Sequence, residues 1–118
     1  MAYVEFFREL DVYSGAQGME QGIFELSKTF PKEEKYSLTD QIRRSSRSIG
    51  AQIAEAWARR RYEKHFVAKL TDACGELFET QHWILSASNC RYVSTEVSSL
   101  MIDKNFQHIK WRIPNETF

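Results

Sequence analysis

The stretch "SLTDQIRRSSRSIGAQIAEAWARRRYEKHF", residues 37–66, decides the fold of this chain. Its apolar and small residues recur at spacings of three and four, which places them on one face of an α-helix. This stripe consists of Leu38, Ile42, Ser45, Ile49, Ile53 and Ala56. The small residues within it suit the close approach of a neighbouring helix. Ser37 is the predicted N-cap, and Asp40 in the first turn complements the helix dipole.

Helical spacing recurs in further segments on both sides. The preceding segment carries Val12, Ala16, Met19, Ile23, Leu26 and Phe30, and Pro31 is predicted to end it. The following segment carries Phe66, Leu70, Ala73, Leu77 and Ile84, with Gln81 in the gap of the stripe. A weaker last segment carries Val97, Met101, Ile102, Phe106, Ile109 and Ile113, and Pro114 is predicted to stop it.

The chain shows no sustained alternation of apolar and polar residues, and the connections between its helical segments are short. Consecutive helices are therefore expected to run antiparallel. The sequence predicts an all-α fold, an up-down-up-down antiparallel four-helix bundle with helices of about 18 to 25 residues. We expect a single domain over residues 1–118, because no linker or internal repeat interrupts the pattern.

Composition is that of an ordinary globular protein, with 42% hydrophobic and 27% charged residues. No window approaches the ~20 apolar residues of a membrane span, and charged residues interrupt the segment where an export signal would lie. Cys74 and Cys90 are therefore expected to be reduced thiols. A cytoplasmic protein with no membrane partner is predicted.

Positive and negative charges are unevenly distributed, although the formal net charge is zero. Residues 1–34 carry three Lys or Arg against seven Asp or Glu, residues 35–69 carry nine against three, and residues 70–118 carry four against six. The basic middle either pairs with the acidic ends, within or between subunits, or offers a basic face to a polyanion. The charge counts leave both interpretations open.

A second face of the 37–66 helix also carries small residues. Ala51, Ala54 and Ala58 lie roughly opposite Ile49 on the helical wheel, where a monomeric bundle would present charge. The preceding helix carries Gly15, Gly18 and Gly22 beside its stripe, where close packing would offset their low helix propensity. Alanine is also the best helix former on any exposed face. The pattern favours a homo-oligomer with an interface at Ala51, Ala54, Trp57 and Ala58.

Three motifs are "FPKEEKYSLTDQIRRSSRSI" at 30–49, "IAEAWARR" at 53–60 and "GELFETQ" at 75–81. They resemble the bacterial four-helix bundle protein family whose first described members are encoded by intervening sequences in large-subunit rRNA genes. The family is related to accessory proteins of diversity-generating retroelements, which are strongly basic and bind nucleic acid and a reverse transcriptase. The resemblance covers roughly residues 8–112, and it implies a bundle fold and a closed homopentameric ring.

The chain departs from this family at several positions. Gly50, Ala51 and Gln52 stand where proline, serine and asparagine are usual, and Ala56 stands where glycine is usual. Its zero net charge also lacks the basic excess of the retroelement accessory proteins. The resemblance therefore implies the fold more strongly than it implies nucleic-acid binding.

Motifs for catalysis are scarce. The sequence has no glycine-rich phosphate loop, no G-x-S-x-G, no paired C-x-x-C and no H-E-x-x-H. Glu79 and His82 form a single E-x-x-H, whereas a di-iron bundle site needs that motif on two helices and a glutamate from each of the others. An ordinary polar pair is the favoured interpretation, and a bundle metalloenzyme is the alternative. Cys74 is expected to pack as a small hydrophobe. We predict a protein that is not an enzyme and holds no metal or cofactor.

The candidate nucleic-acid-binding cations are Arg43, Arg44, Arg47, Arg59, Arg60, Arg61 and Lys64. Those at the helix end are partly explained by the helix dipole, and Glu55 is expected to pair with Arg59. The first three are expected to meet either nucleic acid or acidic residues of a neighbouring subunit, such as Glu20 or Glu25. Aromatic neighbours are limited to Tyr62 and Trp57, so sequence-specific reading of RNA is not expected.

The leading prediction is thus a non-catalytic, oligomeric scaffold or adaptor whose most plausible external partner is RNA or DNA. A purely structural, protein-binding module is the alternative of another class.

Overall fold

The computed structural model describes residues 6–108 and two short strands beyond them. Residues 6–108 contain four α-helices: α1 (Asp11–Ser27), α2 (Leu38–Ala58), α3 (Glu63–Asn89) and α4 (Thr95–His108). A 3₁₀ turn precedes α1 at Phe7–Glu9, and another precedes α2 at Lys32–Glu34. The predicted four-helix fold is confirmed for this part of the chain. None of the helices in it is both long and apolar enough to cross a membrane.

Helix lengths and ends differ from the sequence prediction in places. α2 has 21 residues, as expected, whereas α1, α3 and α4 have 17, 27 and 14. α1 ends at Ser27, before the turn that carries Phe30, although the Phe30 side chain is still buried.

The prediction that the last helix continues to Ile113 is wrong. Ile113 stands in β1 (Arg112–Ile113), which pairs antiparallel with β2 (Glu116–Thr117). A residue directly before proline is biased toward extended backbone, and Pro114 follows Ile113. The predicted stripe position Ile109 and the side chain of Phe106 lie outside the described residues.

α1 and α2 run antiparallel, as side-chain contacts at both ends of the pair show. Arg43, near the start of α2, donates from Nε to the Ser27 hydroxyl at the end of α1, at 2.7 Å. At the other end, a Cβ atom added to Gly50 would lie 3.5 Å from Tyr13 Cε1, an ordinary van der Waals contact. The start of α2 therefore lies beside the end of α1, and the second half of α2 lies beside the first turn of α1.

α2 and α3 are also antiparallel, and a buried hydroxyl pair marks their register. Thr80 donates from Oγ1 to Ser45 Oγ at 2.8 Å. Lys69, eleven residues earlier in α3, reaches Gln52 further along α2 at 3.4 Å. Thr80 is 1% exposed and fills the gap in the α3 stripe that was assigned to Gln81, which is only half-buried.

The core lies where the apolar stripes of the sequence predict it. All six residues of the α2 stripe are buried, and so are the five apolar residues predicted for α3. In α1 the predicted residues are buried except Leu26, which packs partly exposed against the core. α4 contributes less, since Met101 and Ile102 lie at the core edge and Val97 is exposed. The strong stripes of α1, α2 and α3 therefore carry most of the packing.

Ser37 is the N-cap residue of α2, as predicted, but its own side chain makes no capping hydrogen bond. Glu34 makes that bond instead: its Oε1 accepts from the Leu38 backbone N–H at 3.3 Å and from the Ser37 hydroxyl. Its other oxygen accepts from the Tyr92 hydroxyl at 2.8 Å, in the α3–α4 connection. Three hydrogen bonds lower the pKa of Glu34. The largest effect comes from the Ser37 hydroxyl, followed by the Tyr92 hydroxyl and the Leu38 backbone N–H. The same carboxylate raises the pKa of Tyr92 to about 12.

Candidate functional site

The candidate cations fall into two separate groups along α2. Arg43, Arg44 and Arg47 lie in its first half, while Arg59, Arg60 and Arg61 follow its last helical residue and Lys64 opens α3. The twelve residues from Arg47 to Arg59 correspond to about 18 Å along a helix axis. The candidate cations, which are close together in the sequence, therefore lie on two separate surfaces.

The first group lines a surface groove of about 570 Å³, which we call the arginine groove. It is lined by Lys35, Tyr36, Thr39, Asp40, Arg43, Arg44 and Arg47. Four of these seven side chains are cationic and one is a carboxylate, so the groove favours an anionic ligand.

Two of the arginines lie over an aromatic ring of α1. The guanidinium carbon of Arg43 is 4.8 Å from the centroid of the Phe24 ring, and that of Arg47 is 5.8 Å from it. The Ser27 hydroxyl accepts from Arg43 Nε and donates to the Phe24 carbonyl at 2.8 Å. In the described part of the chain neither arginine has an ion-pair partner. The Phe24 ring thus supports both guanidinium groups and the Ser27 hydroxyl orients that of Arg43, while no carboxylate of the described residues pairs with either.

Arg44 has a different role, because its charge is balanced within the fold. It forms ion pairs with Glu79 and, at 3.4 Å, with Glu76 of α3, and its Nε donates to Gln41 at 3.2 Å. Glu79 also accepts from Trp83 Nε1 at 3.1 Å. Arg44 therefore links α2 to α3, one instance of the predicted pairing between the basic middle and an acidic end of the chain.

Tyr36 is the aromatic residue of the groove, and the sequence patterns did not predict it. Its side chain is 85% exposed, and the Lys35 ammonium lies 5.3 Å from its ring centroid. It stands just before α2, outside every helical stripe, so a search for aromatic residues along the helices does not reach it. Phe24 was missed for a related reason, since its contact with Arg43 depends on how α1 meets α2.

The second group of cations surrounds the turn between α2 and α3. Arg60 donates to the Trp57 carbonyl at 3.0 Å and lies 4.6 Å from that indole ring, so it caps the helix end as the dipole argument predicts. Arg59, Arg61 and Lys64 are exposed.

The predicted partner of Glu55 is replaced by another cation. Lys69 of α3 pairs with Glu55 at 2.7 Å and is the main cause of the lowered pKa of that carboxyl, with Arg59 a lesser one. The ion pair predicted with Arg59 is thus formed with Lys69, and Arg59 acts on Glu55 only from a longer distance. The reason is that the packing of α3 on α2 brings the Lys69 ammonium next to Glu55.

The predicted oligomer interface lies at the surface of a single chain. Ala51 and Ala58 are exposed, while Ala54 and Trp57 are half-buried. On α1, a Cβ added to Gly18 would lie within 4 Å of no described atom outside the nearby backbone of its own helix. Tight packing among the described residues therefore does not account for Gly18, and the interface itself stays a prediction.

The E-x-x-H residues are engaged elsewhere. Glu79 is held by Arg44 and Trp83, and the exposed His82 has its ring 4.8 Å from that of Trp83. Within the described residues, no group of three or more His, Cys, Asp or Glu could hold a metal ion. Burial raises the pKa of the Cys74 thiol, which disfavours the nucleophilic thiolate there.

Comparison with known proteins agrees with the motifs. The family described as 23S rRNA-intervening sequence protein matches residues 8–111. A crystal structure of a protein of unknown function, from the S23 ribosomal protein family of Bacteroides thetaiotaomicron, is similar with a TM-score of 0.74 and 27% identity. The match covers 83% of this chain and 91% of that one. No curated protein matches.

Proposed function

We propose that this chain, which belongs to the 23S rRNA-intervening sequence protein family, is a non-catalytic, homo-oligomeric scaffold that binds nucleic acid through the arginine groove. One observation carries the proposal. Arg43 and Arg47 present oriented guanidinium groups in the groove, without an ion-pair partner in the described part of the chain.

Leaving these two arginines unpaired has a cost that a ligand would remove. They stand four residues apart on α2, where like charges destabilise a helix by about 0.2–0.5 kcal/mol. The chain has 16 acidic side chains, enough to neutralise them, and it uses Glu76 and Glu79 on neighbouring Arg44 instead. A phosphate backbone matches the planar fork of a guanidinium, which favours a polyanion as the missing partner.

The proposed self-association fits such a role, because each copy of the groove would add contacts to one nucleic acid. Ala51, Ala54, Ala58 and Trp57 are the proposed contact between copies, and the family resemblance makes a ring of five the proposed assembly. Both cysteines are free, which suits the reducing cytoplasm as its compartment.

Fluorescence anisotropy with generic RNA and DNA over a salt series tests the proposal. The wild-type protein is expected to bind at low salt and to release as salt rises. The R43Q/R47Q variant removes two phosphate contacts per chain, which should reduce the salt slope for single strands by about 1.4. The matched control is R59Q/R61Q, which loses the same charge at the other end of α2 and should bind more like wild type. Absence of binding at low salt would refute the nucleic-acid part.

The alternative of a purely protein-binding module gives a different result in light scattering. If Arg43 and Arg47 serve nucleic acid, R43Q/R47Q keeps the oligomer of the wild-type protein. If they meet acidic residues of a neighbouring subunit, the same variant dissociates, and the groove is an interface between copies.

A further inference from the structure

We infer that the nucleic acid bound in the arginine groove is single-stranded, with one base stacked on Tyr36 while the phosphates contact Arg43 and Arg47. The inference rests on the proposed function and names the ligand class of the same site. Its starting point is that the groove joins an 85% exposed aromatic ring to two guanidinium groups that have no ion-pair partner among the described residues.

The backbone on both sides of Tyr36 is hydrogen-bonded, although its ring is solvated. Its neighbour Ser37 donates its backbone N–H to the Glu34 carbonyl at 3.0 Å, and the Glu34 carboxylate accepts from Ser37 and Leu38 on the other side of Tyr36. The second oxygen of that carboxylate is bound by Tyr92 at 2.8 Å. The backbone of the turn is thus anchored to the α3–α4 connection, which lies at the same end of the bundle, so ordering it on binding costs little entropy.

The phosphate-binding groups are also preorganised. Phe24 lies beneath both guanidinium groups, and Ser27 fixes Arg43 by a hydrogen bond of 2.7 Å. A cationic groove combined with an aromatic platform is the arrangement by which proteins bind single strands without sequence preference.

A duplex does not satisfy this groove. Its bases are stacked on each other, so their faces are closed to Tyr36, and only the phosphates remain for the arginines. In a single strand the faces of the bases are available, and stacking is tolerant of sequence. We therefore expect similar affinity for different single-stranded sequences and lower affinity for a duplex.

Tyr36→Ala is the decisive variant. Its affinity is measured by fluorescence anisotropy for strands of about 16 nucleotides, a length at the upper end of the site sizes known for one single-strand-binding fold. The probes are oligo(U), oligo(dT), the same dT strand with abasic sugars, and a DNA duplex with the same number of phosphates in each strand. We expect Tyr36→Ala to weaken oligo(U) and oligo(dT) binding about fivefold or more and to leave the salt slope unchanged. Tyr36→Phe keeps the ring and should bind like wild type.

Tyr62→Ala is the matched control, because Tyr62 is 68% exposed but lies at the other end of α2. Wild-type protein should bind the abasic strand and the duplex more weakly than oligo(dT). The inference is overturned if Tyr36→Ala binds oligo(dT) as tightly as wild type, or if the duplex or the abasic strand binds equally well. Those results would leave the proposed function, nucleic-acid binding through the arginine groove, unaffected. No binding to any probe overturns the proposed function together with the inference.

Discussion

Thr80→Val tests the register between α2 and α3, on which the position of the groove depends. The substitution keeps the shape of the side chain and removes the hydroxyl that meets Ser45 at 2.8 Å in the core. Ser45 Oγ is then left with the Ile42 carbonyl at 3.4 Å, a long hydrogen bond. A buried hydroxyl that loses its partner costs about 1–3 kcal/mol, and we expect roughly 1.5 kcal/mol here because one weak contact remains.

The double variant separates the interhelical contact from local effects. Ser45→Ala removes the hydroxyl that Thr80→Val would leave unpaired, so the two changes together should cost less than the sum of the single ones. A coupling free energy of about 1 kcal/mol is expected.

Urea unfolding followed by circular dichroism, at one fixed protein concentration, measures these free energies. Thr71→Val is the matched control: the Thr71 hydroxyl lies 2.8 Å from the Val67 carbonyl, as that of Thr80 lies 2.9 Å from the Glu76 carbonyl, but Thr71 is exposed. It should change the unfolding free energy by less than about 0.5 kcal/mol. Strictly additive effects of Ser45→Ala and Thr80→Val would refute the register.

Three further outcomes are expected. Because the pKa of Glu34 is below its ordinary value of 4.5, its contribution to stability is present above that pH and is lost as pH falls through the folded pKa. Tyr92→Phe removes one of its hydrogen bonds and should flatten this acid-side loss in urea unfolding at several pH values; an unchanged profile would contradict the network. Arg44→Gln should lower stability by about 0.5–1 kcal/mol, and less in high salt, since its ion pairs are partly exposed; equal loss at both salt concentrations would count against them. Finally, a maleimide dye should label the exposed Cys90 faster than Cys74, because burial raises the pKa of the Cys74 thiol. Mass spectrometry measures the labelling rate of each cysteine, and equal rates would contradict the packing of α3.

Apolar spacing predicts the helices well where each stripe is long and uninterrupted. The α2 stripe from Leu38 to Ala56 is buried at every position, because a continuous pattern over five turns specifies one face of the helix. The last segment has fewer apolar residues, and its predicted end at Ile113 is wrong. Ile113 directly precedes Pro114, and the preference of such a residue for extended backbone outweighs the weak helical spacing of the last segment.

Side-chain partners were predicted less well, because they depend on contacts between helices. Ser37 is the N-cap residue that the sequence predicts, but the side chain that accepts from the helix N-terminus is the carboxylate of Glu34 in the preceding turn. The sequence suggested Arg59 for Glu55, whereas Lys69 of α3 pairs with it. Local spacing names residues that are able to interact, and the packing of one helix on another selects among them.

For the candidate site too, the sequence predicts residues on one helix but not their contacts with other helices. The sequence identifies Arg43, Arg44 and Arg47 as a basic group on one helix. It does not reveal that Arg44 is neutralised by α3 while Phe24 of α1 supports the other two. Tyr36 also escaped notice, since it belongs to a turn and its position beside the arginines depends on the Glu34 network.

The most direct test of the arginine groove is a titration of ¹⁵N-labelled protein with a single-stranded oligonucleotide, following the arginine Nε–H signals by NMR. The account predicts that the signals of Arg43 and Arg47 shift on binding, while that of Arg44 moves less because Glu76 and Glu79 already hold its guanidinium group. Shifts confined to Arg59, Arg60 and Arg61, or no shift at all, would contradict it.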